Sequence, residues 1–412
     1  EIFNGMITKA TYEPLVRRAL EANMNILRAW GGAAVDKEPF FDLCDEMGIL
    51  VWQEFPLACN CYPDEEHYLT ILEQEAVSIV TRLRRHPCVA LWSGGNELFN
   101  SWSGMTDQSH PLRLLNKICY EQDRKTPFIM TSPLMGAGHG GYLFYMPYQK
   151  QDVYEIFTNS RCTAYSEFGV PSISEADYLK QILPEDELFP VRPTKGWILH
   201  HGFGAWGDNM IPDAWAAVTQ VEQFFGKMDS LDELVKHGRL MQAQGYKAIF
   251  EEARRQKPHC SMALNWCYNH PWKVAAGESL LLYPAVPTQA YFAVAASLRN
   301  TLASARIGKF SWREGEMFHA QLWLLSDAPH QTEDVISAWL EIDGKEEFLL
   351  EWKTGIVPEN TNKMGPEINV VLPSGEKDTF LLRLKSENGY DSEYELCYQK
   401  KQTAERKRGM NL

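Results

Sequence analysis

From the start of the chain to about Asn300, short apolar runs alternate with longer stretches whose apolar positions recur at helical spacing. That is the pattern of a parallel sheet with crossover helices. A helix is predicted from about Pro14 to Ala22, since proline suits a first turn, and a strand follows at Asn25 to Arg28, closed by Gly31-Gly32. Phe40, Phe41, Leu43, Cys44 and Met47 share a helical face, Gly48 stops that helix, and Ile49 to Phe55 reads as the next strand. A long helix from about Asp64 to Arg85 breaks at His86-Pro87, and Cys88 to Trp92 then runs as a strand into Ser93-Gly94-Gly95-Asn96-Glu97. Further strands are predicted at Phe128 to Thr131, Gly141 to Tyr145, Cys162 to Ser166 and Met262 to Trp266.

Seven such parallel strands leave an open edge, whereas eight close a (β/α)8 TIM barrel. The pattern therefore predicts a barrel over residues 1–302 whose first strand lies outside this chain. After Leu302 the texture changes to strand-like alternation at Phe318 to Leu325, Val335 to Ile342, Ile368 to Leu372, Phe380 to Leu384 and Tyr394 to Tyr398, punctuated by Asp-Gly, Pro-Ser-Gly and Asn-Gly turns. Residues 303–412 read as an all-β, immunoglobulin-like sandwich. No catalytic cluster stands out within it.

Charge removes some partners. With 412 residues and a formal net charge of -14, the chain disfavours a polyanionic ligand such as nucleic acid. The basic stretch from Lys400 to Arg408 reads as a solvated end. No apolar run approaches the ~20 residues of a membrane span, and no Asn-x-Ser/Thr site occurs. The compartment stays open between cytoplasm and periplasm. Nine cysteines form neither a paired framework nor a double Cys-x-x-Cys knuckle, so no metal or other cofactor is expected. Thirteen tryptophans, many beside Gly, Asn or Pro, suit stacking on sugar faces.

In a barrel the working side chains sit just past the strands, at the C-terminal face. Arg28, the pair Asn96-Glu97, Glu167 and Trp266 occupy such places. Two strand-end glutamates match what a retaining glycosidase needs, namely a proton donor and an attacking carboxylate held ~5 to 5.5 Å apart. A carboxylate beside Arg28 stays ionised and suits the nucleophile, Glu167. One among apolar neighbours such as Trp92, Leu98 and Phe99 has its pKa raised and suits the acid/base, Glu97. Asn96 is placed to hydrogen-bond the sugar 2-hydroxyl.

The strings Asn-Ile-Leu-Arg-Ala-Trp-Gly-Gly at 25 to 32, Phe-Phe-Asp-Leu-Cys-Asp-Glu-Met-Gly-Ile-Leu-Val-Trp-Gln-Glu-Phe at 40 to 55, Gly-Gly-Asn-Glu and Ser-Glu-Phe-Gly resemble glycoside hydrolase family 2, most closely its β-mannosidase branch. The resemblance spans Tyr12 to Asn300. It implies Glu97 as acid/base and Glu167 as nucleophile, with Arg28, Trp30, Asn96 and Trp266 lining the sugar site. It also implies an aromatic hydroxyl near the nucleophile, from Tyr142 or Tyr145, and further domains ahead of the barrel in the same parent protein. The substrate is then a terminal β-linked sugar of a glycoside or oligosaccharide. Gly136 to Gln151 and the final strand, Leu-Asn-Trp-Cys-Tyr-Asn-His-Pro-Trp, depart from the mannosidase pattern, which keeps β-galactosidase, β-glucuronidase and β-glucosaminidase open, along with a non-catalytic carbohydrate-binding or vestigial chain.

Other signals carry less. Gly136-Ala-Gly138-His-Gly-Gly141 fits the dinucleotide fingerprint, but the aromatic, Pro-stopped stretch after it does not read as the helix that a pyrophosphate requires. His200-His201, with Trp197 and Trp206 nearby, reads as a loop that shapes an outer subsite.

Overall fold

The structure, a computed structural model, describes residues 4–204 and 213–400. Two compact units alternate along the sequence. Residues up to Gly140, with Cys162–Phe168 and Met262–Trp272, make the first; Gly141–Arg161, Gly169–Ser261 and the residues from Lys273 on make the second.

In the first unit, helices α1 (Lys9–Glu21), α2 (Glu38–Met47), α3 (Glu66–Leu83) and α4 (His110–Gln122) alternate with strands β1 (Ile26–Ala29), β2 (Leu50–Glu54), β3 (Val89–Ser93) and β4 (Phe128–Ile129). The strands pair in parallel in the order β1-β2-β3-β4. Helix α1 begins a turn before the expected Pro14, because Thr8 and Thr11 form a capping box that starts it at Lys9. Gly48, at φ 70, ends α2 as the sequence predicts. The apolar faces of these helices, among them Val16, Phe41, Leu72, Val80 and Leu115, bury against Val51, Phe55 and Trp92 of the sheet segments.

Past the end of β3 the chain is squeezed between its neighbours. Asn96 bridges in parallel to Ala58 on one side and Ser132 on the other. A Cβ on Gly94 would lie 2.3 Å from the Met130 carbonyl oxygen, and one on Gly95 (φ 149) would lie 2.2 Å from that of Leu57. Only glycine lets the three backbones approach this closely.

A second parallel pair joins Ala137–His139 to Ala164–Glu167, and Ala263 bridges to Tyr165. The expected strand at Gly141 to Tyr145 is thus displaced toward the N-terminus. Tyr145–Met146 instead pairs antiparallel with Gln151–Asp152, since the glycine-rich 136–141 stretch, free of bulky side chains, can run alongside Ala164–Glu167. Among the described residues the pairings give a four-stranded sheet and this two-stranded pair, not a closed ring of eight.

The second unit holds a 25-residue helix, Leu231–Arg255, buried on most sides, and two sheets drawn from residues after Thr301. One is antiparallel, from Thr301–Ile307, Met317–Ser326 and Lys363–Val371; the other has five strands with Val335–Ile342 and Thr379–Ser386 inside it. Alternate residues of Val335–Ile342 are buried, and Phe318 of one sheet meets Phe380 of the other at 5.4 Å, the contact expected of a β-sandwich. No described helix is long and apolar enough to cross a membrane.

Gly95→Ala should destabilise the chain by about 2 kcal/mol or more, through strain and collision with Leu57. Urea unfolding measures this, and an unchanged midpoint would contradict the account.

Candidate active site

The first unit gathers most of the predicted residues. Arg28, at the C-terminal end of β1, is buried with side-chain exposure of 7%. Its Nε donates to Glu54 Oε1 at 3.0 Å and its Nη2 to Asn96 Oδ1 at 2.5 Å, while Nη1 stands 3.4 Å from Glu167 Oε2. The guanidinium also lies 5.3 Å from the Trp52 ring centroid, where a cation gains from the ring quadrupole. Burial alone would lower the arginine pKa, but Glu54 and Glu167 outweigh it and hold the charge in place. Glu54 itself is pushed up by burial against the pull of Arg28, and its Oε2 accepts the Gly31 backbone N–H at 2.7 Å. One buried carboxylate thereby fixes both the arginine and the turn that carries Trp30. Trp30 and Trp266 meet edge to face at 4.6 Å, so these two predicted sugar platforms are neighbours.

Glu97 sits in left-handed backbone at φ 54, a conformation that costs a non-glycine residue about 1 kcal/mol. Its N–H donates to the Ser132 carbonyl at 2.7 Å, and its own carbonyl accepts from Ser103 Oγ at 2.7 Å. The strain persists because both sides of the turn are pinned. Strain held in this way collects at functional sites.

The side chain of Glu97 turns toward His139 and Cys59, not toward the aromatic neighbours expected to surround it. Trp92 is fully buried, and its indole N–H donates to Asp123 at 2.9 Å. Glu97 Oε1 lies 3.1 Å from His139 Nε2, and Oε2 accepts from the Cys59 thiol at 3.4 Å. The hydrogen bond from His139 holds the Glu97 carboxyl below its ordinary range despite partial burial. The expectation of a raised pKa in the free protein is therefore corrected. Burial pushes the thiol of Cys59 up to about 11, so it serves as a neutral donor.

His139 is the residue that the sequence reading passed over. Its Nε2 also pairs with Glu167 Oε2, placing one imidazole between both candidate carboxylates. One oxygen of Glu97, Nε2 of His139 and one oxygen of Glu167 all lie within 4.8 Å of one another. On the other edge of the ring, Nδ1 is 3.1 Å from Ser166 Oγ. The Ser166 hydroxyl donates its single hydrogen to the Gly138 carbonyl at 3.3 Å, which leaves an oxygen lone pair to accept Nδ1–H. Burial lowers the His139 pKa, but the two carboxylates reverse this and raise it above 6.5. The two glutamates thus favour the protonated ring, whose Nε2–H would point at them.

Tyr142 and Tyr145 are the two candidates for the expected aromatic hydroxyl. Both residues belong to the second unit, where the Tyr145 backbone N–H donates to Gln220 and its ring meets Phe224 at 6.1 Å. Trp197, expected in a loop, is fully buried with its indole N–H on the Glu187 carbonyl at 2.8 Å. His200 Nδ1–H donates to the Lys273 carbonyl at 2.7 Å, and Trp206 lies outside the described residues. The glycine-rich 136–141 segment forms a strand rather than a phosphate-binding turn into a helix, and its histidine is the informative residue.

Comparison with known proteins follows the same line. No family model matches the chain. It is 28% identical to the β-mannosidase of Capra hircus over 318 residues, which cover 68% of this chain and 35% of that protein. It is 25% identical to β-mannosidase B of Aspergillus niger over 405 residues, covering 87% and 46%. The β-D-mannosidase structure of Dictyoglomus thermophilum superposes with TM-score 0.74 at 22% identity, over 95% of this chain and 48% of that one. The chain is thus similar to these β-mannosidases in sequence and in fold. The exo-chitosanase of Amycolatopsis orientalis, at TM-score 0.73 and 16% identity over 95% and 47% of the two chains, shares the mixed helix and strand fold. This chain spans between a third and a half of the length of these relatives.

Arg28→Met would leave Glu54 facing Glu167 in a buried site without the guanidinium between them. Stability in urea should fall by about 3 to 5 kcal/mol, and a loss below about 1 kcal/mol would show that Arg28 does not hold the cluster together.

Proposed function

We propose that this chain is the catalytic portion of a retaining exo-β-glycosidase that removes terminal β-mannose from glycosides and oligosaccharides. On this reading residues 1–302 build a (β/α)8 barrel that lacks its first strand, and residues 303–412 an immunoglobulin-like sandwich. The observation that carries it is the approach of Glu97 and Glu167 to within 4.8 Å around His139. This supports direct attack by a carboxylate, which needs ~5 to 5.5 Å, over the wider gap that admits a water.

Glu167, braced by Arg28, attacks the anomeric carbon and forms a glycosyl ester. Glu97 protonates the departing oxygen, then takes a proton from the water that releases the sugar. A carboxyl held below its ordinary range is a poor acid by itself. The missing proton lies on His139 Nε2, 3.1 Å from Glu97 Oε1, and passes to Glu97 as substrate displaces the ring's contact with Glu167. Asn96, oriented by Arg28, donates to the sugar 2-hydroxyl, and Trp30 and Trp266 pack against its apolar face.

A panel of nitrophenyl β-glycosides tests the reading, with mannoside turned over fastest and the first-formed sugar retaining the β configuration. Preference for galactoside, glucuronide or glucosaminide would reassign the sugar; inversion, or no turnover of any of them, would remove the reading. Glu167→Ala should abolish turnover, whereas Glu97→Ala should lose about 10²- to 10⁴-fold on poor leaving groups and far less on good ones. Identical profiles for the two variants would contradict the roles.

The pH dependence has a definite sign. The reactive free protein carries one proton on the Glu97–His139 pair, and the raised His139 pKa places its loss above 6.5. The basic limb of kcat/KM should lie above that value and move down toward the carboxyl range in His139→Gln. An unmoved limb would show that His139 does not hold the proton.

A further inference from the structure

We propose that Glu97, His139 and Glu167 also form a binding site for a transition-metal cation of the Zn2+ class, occupied in competition with the sugar. Their three facing atoms lie within 4.8 Å of one another. Around a tetrahedral Zn2+ with bonds of about 2.0 to 2.2 Å, neighbouring ligand atoms stand about 3.3 Å apart, and Glu97 Oε1 is already 3.1 Å from His139 Nε2. Small side-chain rotations complete the set and leave the fourth position to water.

The surroundings fit a ligand set better than chance neighbours would. A metal-binding histidine needs its other nitrogen held as a donor; Ser166 Oγ, 3.1 Å from His139 Nδ1 with its own hydrogen on Gly138, accepts there, with Ser132 Oγ at 3.3 Å beside it. Glu167 Oε2 is a buried oxygen turned into the cluster, where Arg28 and His139 both meet it. Glu54, Glu97 and Glu167 supply three carboxylates against the guanidinium of Arg28 and the His139 proton, and an incoming cation displaces that proton from Nε2 as it binds. An imidazole among carboxylates selects Zn2+, Ni2+ or Cu2+ over Mg2+ and Ca2+, which favour all-oxygen sets.

A second group of the same composition, Glu38, Asp42 and His86, makes a natural control. There both ring nitrogens are committed, Nδ1 to Asp45 at 2.7 Å and Nε2 to Glu38 at 2.8 Å, and Glu38 also takes Arg85 at 2.9 Å. There a carboxylate rather than a hydroxyl holds the second ring nitrogen, and an arginine competes for Glu38.

Binding of the ion stands apart from the glycosidase reading, whereas the competition rests on it. Titration calorimetry of the full chain with zinc chloride should give one site, no matching heat with magnesium chloride, and a loss of at least about tenfold in affinity for both His139→Gln and Ser166→Ala. Asp42→Asn should leave the affinity unchanged, and near-ultraviolet circular dichroism checks that each variant folds. Zinc binding that survives both His139→Gln and Ser166→Ala, or that disappears in Asp42→Asn, overturns the proposal. Zinc should raise KM without lowering kcat, reversibly with EDTA; binding without any glycosidase activity removes the function but not the metal site, and activity with no zinc binding removes the site but not the function.

Discussion

The imidazole of His139 between two glutamates is the contact on which the rest of the site depends. A half-buried and a buried carboxylate within 4.8 Å repel strongly unless positive charge or a shared proton separates them. Here the protein sets the Arg28 guanidinium and the His139 ring, whose pKa the two acids raise, against the same Glu167 oxygen. On the proposed reading, the arrangement keeps a nucleophile and a proton donor close without forcing either into solvent. It also stores the proton on the group whose affinity for it is raised rather than on the glutamate that must deliver it.

Holding that geometry is a backbone problem before it is a side-chain one. The turn at Gly94-Gly95-Asn96-Glu97 squeezes between Leu57 on one side and Met130 and Ser132 on the other, where a Cβ at either glycine would collide with a carbonyl oxygen. Glu97 accepts left-handed backbone as part of the same constraint. Glu54 plays the matching part beneath Arg28, since one carboxylate aligns the guanidinium and caps the Gly31 turn. The strand-end residues are thus positioned by a layer of neighbours that never needs to touch a sugar.

Much of this was legible in the sequence because it follows from periodicity and from residues at strand ends. The alternation that predicts β1 to β3 and α2 is matched within a residue or two at most boundaries, and Arg28, Asn96, Glu97 and Glu167 come together as their places after apolar runs suggest. His139 escaped notice because it stands in Gly136-Ala-Gly138-His-Gly-Gly141, a segment with no apolar alternation to mark a strand. Its pairing with Ala164–Glu167 is fixed by tertiary contact, which no local propensity reports. Its usable signal was the lone titratable side chain in a run of small residues lying between two strand-end glutamates. Cys59 was overlooked for a related reason: a thiol in a loop carries no chemistry until a carboxylate is seen 3.4 Å away.

The central claim is that Glu167 forms a covalent bond to the sugar. Incubation of the full chain with 2-deoxy-2-fluoro-β-mannosyl fluoride, followed by intact-mass and peptide mass spectrometry, tests it directly. A single added fluorosugar on the peptide containing Glu167, absent from Glu167→Ala, is the predicted result; an unmodified chain, or label on Glu97 or elsewhere, would contradict the account.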